Sequence, residues 1–343
     1  MFMEIKNYII NNIDVISDKA KIKIKGIIDI DKLDEHVIRD FYNNRNLGRY
    51  WKQLNSIFID CGCIDDLIKL INNQSNVSSV DLLNHDNFDD LFNSFNKNGI
   101  EALMNFNPSN KGITRGDGEA LCNLYLNDII CSDDGDIPTK LSGKLEIKGR
   151  WGRLKNQASY NIEKCDVKFQ QYFNNLKYKD VFKSKTHLFN ILKELRDIGW
   201  DQKYILVSLA ESFVEKYPIQ YQDINELFVN HLVSKSSNIF KITKKKRPSK
   251  KDQIDIDYIM DILMIVDMIY YQKLDGWSNM LIVSKKNKGK YSVIRGEVLN
   301  HDIQYIYDYL KCKDIERASS GMIIGDSQSH AFKIEYEPKE IKG

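Results

Sequence analysis

The stretch DDGDIPTKLSGKLEIKGR, residues 133–150, decides how this chain is read. Glu146 and Lys148 are two apart within it. Side chains alternate between faces along a strand, so both point one way while Leu145 and Ile147 point the other. The alternation predicts a strand over Lys144–Lys148 with its apolar face in a core. An acid and an ammonium held side by side on such a strand are unfavourable unless they have partners, and a divalent cation is one such partner. The competing reading is a surface hairpin whose incidental ion pair contributes little.

Working outward, Ser142-Gly143 separates this strand from a second short run at Asp136-Ile137, and Ser132–Gly135 reads as a turn. Upstream, Gly118-Glu119 opens a predicted helix over Glu119–Ile130, with Leu121, Leu124, Tyr125 and Ile129 on one side. Residues 105–118, rich in Asn, Pro, Ser and Gly, read as a loop.

Phosphodiester hydrolysis needs the residue types gathered here. Hard oxygen ligands hold Mg²⁺ in an octahedral shell at about 2.0–2.1 Å. The ion activates a water and neutralises phosphate charge, and a nearby ammonium stabilises the charge that develops. In this reading Asp136 and Glu146 are metal ligands, joined by the Ile147 carbonyl, with Mn²⁺ as a substitute ion. Lys148 is the catalytic cation, and Glu119 adds a ligand or holds a metal-bound water. Asp133 and Asp134 compete with Asp136 for its role. Arg150 and Arg153 can bind phosphates, Gly149 and Gly152 let the backbone come close, and Trp151 can stack on a base or sugar.

Glu119, Asp136 and Glu146-Ile147-Lys148 match in order and type the PD-(D/E)xK nuclease superfamily, which this region resembles. Gly135 stands where that family often has Pro. Gln157 and Tyr160 resemble the Gln/Tyr pair that follows the lysine strand in RecB-like members. The run Gly149–Leu154 is similar to a tail found in nucleases of tailed phages. The resemblance implies an α/β fold with a mixed central sheet flanked by helices, a restriction endonuclease-like core, carrying large helical additions. It implies a metal-dependent DNA endonuclease, phage-encoded, in the host cytoplasm or the virion. The alternative is a phage virion or assembly protein that keeps the fold for DNA binding or structure. DNA, a second copy in a homodimer and phage structural proteins are the expected partners.

Composition sets the frame. The 343 residues are 42% hydrophobic and 29% charged, with net charge +2. Those values suit a globular protein, and the balance alone announces no nucleic-acid partner. The heavy use of Lys, Asn and Ile fits an AT-rich genome. The six cysteines, including Cys61-Gly62-Cys63, complete no zinc spacing and read as reduced thiols. None of the six His belongs to an HExxH or paired spacing. No Walker loop, GxGxxG or GxSxG motif occurs. Met1–Asn12 lacks a signal peptide's apolar run.

The expected organisation is a mainly helical accessory unit over 1–97 and a nuclease-like domain over 98–343, with a helical insertion at about 165–250. Ala20–Ile30 reads as a strand. Helices are expected at 31–41, 51–58, 64–72 and 79–95, and strands at 280–284, 291–295 and 331–336, with a helix at 303–311 between them. The greasiest segment, 254–271, is punctuated by Asp255, Asp257, Asp261 and Asp267, which argues for a buried helix with an acidic edge rather than a membrane span. Lys241–Lys251 holds seven Lys or Arg and no acid. Lys245, Lys246 and Arg247 within it are candidates to track a DNA backbone. Lys285–Lys290 reads as a solvated hairpin tip.

Overall fold

The structure, a computed structural model, describes residues 35–106, 118–131, 137–149, 152–154, 231, 250–284, 286–323 and 331–338. Among these, the helices are α1 (Glu35–Asn43), α2 (Trp51–Asp60), α3 (Ile64–Ile71), α4 (Ser79–Asn84), α5 (Phe88–Leu91), α6 (Lys97–Met104), α7 (Glu119–Tyr125), α8 (Lys250–Asp275) and α9 (Ile303–Cys312). The strands are β1 (Ile137–Thr139), β2 (Gly143–Lys148), β3 (Gly152–Arg153), β4 (Asn279–Val283), β5 (Tyr291–Arg295), β6 (Ile315–Ile323) and β7 (Ala331–Tyr336). The protein is thus mixed α/β. Two compact units divide it, one of residues 1–150 and 277–294, the other of 151–276 and 295–343.

In the first unit the helices are short and punctuated by caps. The Ser78 hydroxyl accepts from the Asp81 amide while the Asp81 carboxylate accepts from the Ser78 amide at 2.8 Å, a capping box. Asn87 and Asn96 cap α5 and α6 through their side-chain oxygens. The single helix expected over 79–95 is therefore two. His85 and Asn87 are extended, and the Asn87 side chain starts a new helix instead of continuing the old one. Helix α7 also ends earlier than Ile130. Leu126 turns extended, and the Arg45 guanidinium donates to the carbonyls of Asn123 and Leu126, both at 2.8 Å. Those bonds satisfy carbonyls that a helix end leaves orphaned.

The sheet of this unit has the order β1-β2-β4-β5. β1 and β2 are antiparallel, with Ile137 opposite Leu145 and Thr139 opposite Gly143. β2 and β4 are parallel, with Leu145 opposite Asn279 and Lys148 opposite Ile282. Parallel neighbours need a long crossover, and residues 149–278 supply it. All five residues of β4 are buried, which is how a strand enclosed on both faces reads in sequence: Met280, Leu281, Ile282 and Val283 without a break.

Period two sorts the sheet's residues. Ile137, Leu145, Ile147, Leu281, Val283, Tyr291 and Val293 share one hydrophobic core with the helices, including Leu54, Phe58, Leu67, Phe88, Phe92, Leu121 and Tyr125. Glu146 and Lys148, the alternate residues of β2, lie on the opposite face. The core runs across the expected boundary at 97/98, because α2, α3 and α5 pack in the same cluster as α7 and the sheet. Asp128 ties the parts together. Its carboxylate accepts from the Ser79 amide at 2.8 Å, the Ser79 hydroxyl at 2.5 Å and the Leu141 amide at 3.3 Å, fastening α4 to the β1–β2 turn.

The second unit holds α8, α9 and a three-stranded sheet of order β3-β7-β6. The 26-residue α8 is about 39 Å long. The segment is a helix with most of its described side chains buried, as expected, and Asp261 and Asp267 on it are buried too. Their burial is compensated where partners are seen: Asp261 takes Arg317 at 3.2 Å and Lys311 at 3.2 Å, joining α8 to α9 and β6. β6 was not expected from sequence; its Ala318-Ser319-Ser320-Gly321 centre lacks the branched and aromatic residues that mark strands, and its pairing with β7 is irregular between Arg317 and Met322. Among the described residues no helix is long and apolar enough to cross a membrane. The cysteines described, Cys61, Cys63, Cys122, Cys131 and Cys312, are free. The strand expected at 20–30 and almost all of the insertion expected at 165–250 lie outside the described residues.

Two buried tyrosines of the first unit make contrasting predictions. Burial raises both phenols well above their ordinary pKa, with Cys63 adding to the effect at Tyr42 and Asp66 at Tyr125. The Tyr42 hydroxyl donates to Asn55 Oδ1 at 2.8 Å, whereas among the described residues that of Tyr125 has no hydrogen-bond partner. Tyr42→Phe is expected to lower stability by about 1 kcal/mol, and Tyr125→Phe to leave it unchanged or raise it by about 1 kcal/mol. The denaturant midpoint at constant slope reads both. A loss at Tyr125→Phe equal to that at Tyr42→Phe would contradict the assignment.

Candidate functional site

The site is built on β2. Its alternation buries Leu145 and Ile147 in the helical core and sets Glu146 and Lys148 together on the other face. The Lys148 ammonium lies 2.5 Å from Glu146 Oε1, and the two side chains are only 12% and 7% exposed. This is a short, nearly desolvated pair, unlike a solvated surface bridge. It does not have the burial of an incidental pair on a surface hairpin.

The pair sits near the carboxyl end of β2, beside the carboxyl end of the parallel strand β4. Ligands of open α/β sheets characteristically gather at that end of the strands. Helix α7 starts at the same end. Gly118 caps it with φ +88, a left-handed conformation that glycine adopts without strain. A Cβ built there would lie 3.4 Å from Val283 Cγ2, 3.5 Å from Ile147 Cγ2 and 3.7 Å from Phe88 Cζ. Glycine thus lets the helix start press against the residue between Glu146 and Lys148.

Glu119 follows directly, in the first turn of α7, where the helix dipole favours a carboxylate. Burial and then the Glu119 charge push the Cys122 thiol up, leaving Cys122 inert. The start of α7 contacts the Ile147 face, opposite the face that carries Glu146 and Lys148. A Glu119 side chain could meet those two only by passing around the end of the strand, a constraint that motif order alone does not reveal.

The other expected site residues divide into two groups. Arg153 lies on β3 in the second unit, with its backbone paired to Lys333. Asp136, its competitors Asp133 and Asp134, and Arg150, Trp151, Gln157, Tyr160, Lys245, Lys246 and Arg247 lie outside the described residues. Among the described residues no group of three or more His, Cys, Asp or Glu side chains comes together to hold a metal ion. Glu146 and the Ile147 carbonyl are the oxygen donors that the described part of β2 supplies. They are hard donors of the kind Mg²⁺ and Mn²⁺ take.

The β4–β5 turn is the feature whose placement sequence reading missed. Lys286 and Asn287 are exposed there, as a solvated hairpin tip requires, and the parallel register brings the turn to the same end of the sheet as Lys148. The signal for that was present in the unbroken apolar run of β4, which marks an enclosed parallel strand.

The Glu146–Lys148 pair makes a prediction of its own. In metal-free buffer, Glu146→Leu or Lys148→Met alone removes one half of a buried ion pair and is expected to lower stability by about 3 kcal/mol. The double variant is expected to recover most of that loss, and denaturant unfolding of the four proteins gives the coupling. Additive losses would show that the pair is not the unit described. Comparison of the chain with protein-family models, with curated proteins and with solved structures finds no match.

Proposed function

We propose that this protein is a metal-dependent DNA endonuclease with a restriction endonuclease-like core, resembling the PD-(D/E)xK superfamily. The observation that carries the reading is the desolvated Glu146–Lys148 pair at the carboxyl end of a strand paired parallel to β4. The antiparallel pairing of β1 with β2 accompanies it, with Ile137 opposite Leu145. Asp136, which precedes Ile137 in the sequence, is proposed to share one divalent ion with Glu146.

The residues then divide the work. Glu146, Asp136, the Ile147 carbonyl and Glu119 would hold Mg²⁺ or Mn²⁺. The bound ion supplies an activated water and charge neutralisation at the phosphate. Lys148, fixed by Glu146, presents its ammonium where negative charge grows on the phosphate oxygens. The buried surroundings strengthen that interaction relative to bulk water. Arg150, Arg153, Gln157, Tyr160, Lys245, Lys246 and Arg247 are the residues proposed to hold DNA.

A second reading has one observation in its favour: Glu146 and Lys148 already satisfy each other. A phage virion or assembly protein that kept the fold without its activity would carry such a pair with no ion bound to it. Co-purification with particles, without metal-dependent cutting, would select it.

The test is cleavage of supercoiled, linear and single-stranded DNA in Mg²⁺ or Mn²⁺. Cutting is expected, abolished by chelation. Asp136→Asn, Glu146→Gln and Lys148→Ala are each expected to lower it by about 100-fold or more. If folded wild-type protein cuts no DNA of any topology in Mn²⁺, the enzymatic reading fails.

A further inference from the structure

We propose that Cys61 and Cys63 form an oxidation-sensitive dithiol, which a hydroperoxide closes reversibly into a disulfide across Gly62. Both thiols lie in the turn between α2 and α3. Neither belongs to the site on β2, so the dithiol stands or falls apart from the nuclease reading.

Backbone geometry is the first reason. Helix α2 ends in a Schellman motif. The Cys63 amide donates to the Phe58 carbonyl at 2.9 Å and the Gly62 amide to the Ile59 carbonyl at 3.0 Å, with Gly62 left-handed at φ +63. A residue in a helical conformation of either hand holds the α-carbons of its two neighbours about 5.4 Å apart, given a rise of about 1.5 Å per residue and a radius of about 2.3 Å. Disulfides span α-carbon separations of about 4.4–6.8 Å. The two neighbours of Gly62 are the cysteines, so the turn holds them at bonding separation before any oxidant arrives.

Side-chain placement is the second reason. The Cys63 thiol shares a hydrogen bond with the Cys61 side chain, so the two sulfurs face each other. A Cβ built on Gly99 of α6 would lie 2.8 Å from Cys63 Sγ, so glycine there leaves the sulfur its room. Cys63 is buried, and burial, then the neighbouring Cys61 and Asp66, push its thiol up to about 12. Cys61 is half-buried beside Gly62, which is exposed and whose built Cβ would meet nothing within 4 Å. Oxidant therefore reaches Cys61 first, and Cys63 resolves the product.

The chemistry balances in two steps. The Cys61 thiolate attacks the hydroperoxide, its sulfur takes one oxygen, the O–O bond breaks, and hydroxide or alkoxide leaves. Cys61 is then a sulfenic acid. The Cys63 sulfur attacks the Cys61 sulfur, the S–O bond breaks, and the departing hydroxide takes the Cys63 proton to become water. The sulfurs lose two electrons and the O–O bond takes up both. Glutathione reverses the bond by thiol exchange, restoring both thiols and becoming oxidised itself. The closed loop contains only Cys61, Gly62 and Cys63, so it constrains the unfolded chain little, and the bond suits a reversible contact better than a structural staple.

The experiment treats the folded full chain with hydrogen peroxide, blocks the remaining thiols with iodoacetamide and reads the tryptic peptide 53–69, which holds Cys61 and Cys63 and no other cysteine. About one equivalent of peroxide is expected to leave this peptide about 2 Da lighter and closed to the blocker, and glutathione to restore it. Cys131 and Cys312, both exposed, should stay open to the blocker. Cys61→Ser should abolish the mass loss. Cys63→Ala should halt the reaction at the Cys61 sulfenic acid, giving at least about tenfold more dimedone adduct than wild type. The wild-type peptide reads the disulfide by itself, so the test holds if a variant does not fold. A peptide 53–69 that keeps both free thiols while Cys131 or Cys312 is oxidised overturns the proposal. So does Cys61 carried on to sulfinic acid, or joined to a cysteine other than Cys63.

Discussion

Leu145 opposite Asn279 and Lys148 opposite Ile282 define a parallel ladder between strands more than a hundred residues apart in sequence. Most of the first unit depends on it. A parallel pair cannot be closed by a tight turn, so the whole of residues 149–278 becomes the crossover. The same ladder aligns the carboxyl ends of β2 and β4. It thereby brings the Glu146–Lys148 pair, the start of α7 and the lysine turn to one end of the sheet. A slip of one residue in β2 would exchange Leu145 and Ile147 for Glu146 and Lys148 on the core face. The core therefore enforces the face on which the pair stands.

The pair itself balances two large terms. Desolvating a carboxylate and an ammonium is unfavourable by several kcal/mol each, and their attraction offsets this only in good geometry. The 2.5 Å contact and the low exposure of both side chains meet that condition. Replacing such a pair by well-packed apolar residues often stabilises a protein, so stability alone gives a weak reason for keeping it. Chemistry at the phosphate gives a stronger one. It needs a fixed cation and a hard oxygen ligand in a place shielded from bulk solvent.

Much of this was legible in the sequence because it rests on local periodicity. The alternation in Lys144–Lys148 gave the strand and its faces, and the apolar run at 280–283 gave β4. The strand at Tyr291–Arg295 was read at its observed bounds. What escaped depended on contacts distant in the chain. Helix α7 stops at Tyr125 because Arg45, 78 residues before Asn123, caps its carbonyls. Helices α4 and α5 part because Asn87 caps anew, and its neighbour's amide binds the distant Gly289 carbonyl. The partners of Asp261 on α8 were not readable, because Lys311 and Arg317 come from α9 and β6. Within the site, Glu146 and Lys148 were readable from spacing. The face on which Glu119 starts was not, since it is set by Gly118 packing on Ile147 and Val283.

The central claim is that Glu146 belongs to a divalent-ion site beside Lys148. Anomalous diffraction from crystals soaked in Mn²⁺ tests it without relying on any DNA substrate. The account predicts one manganese peak at the carboxyl end of β2, at about 2.2 Å from carboxylate oxygens of Glu146 and Asp136, with Lys148 alongside. An empty site at saturating Mn²⁺, or carboxylates of Asp136 and Glu146 too far apart to share one ion, would contradict it.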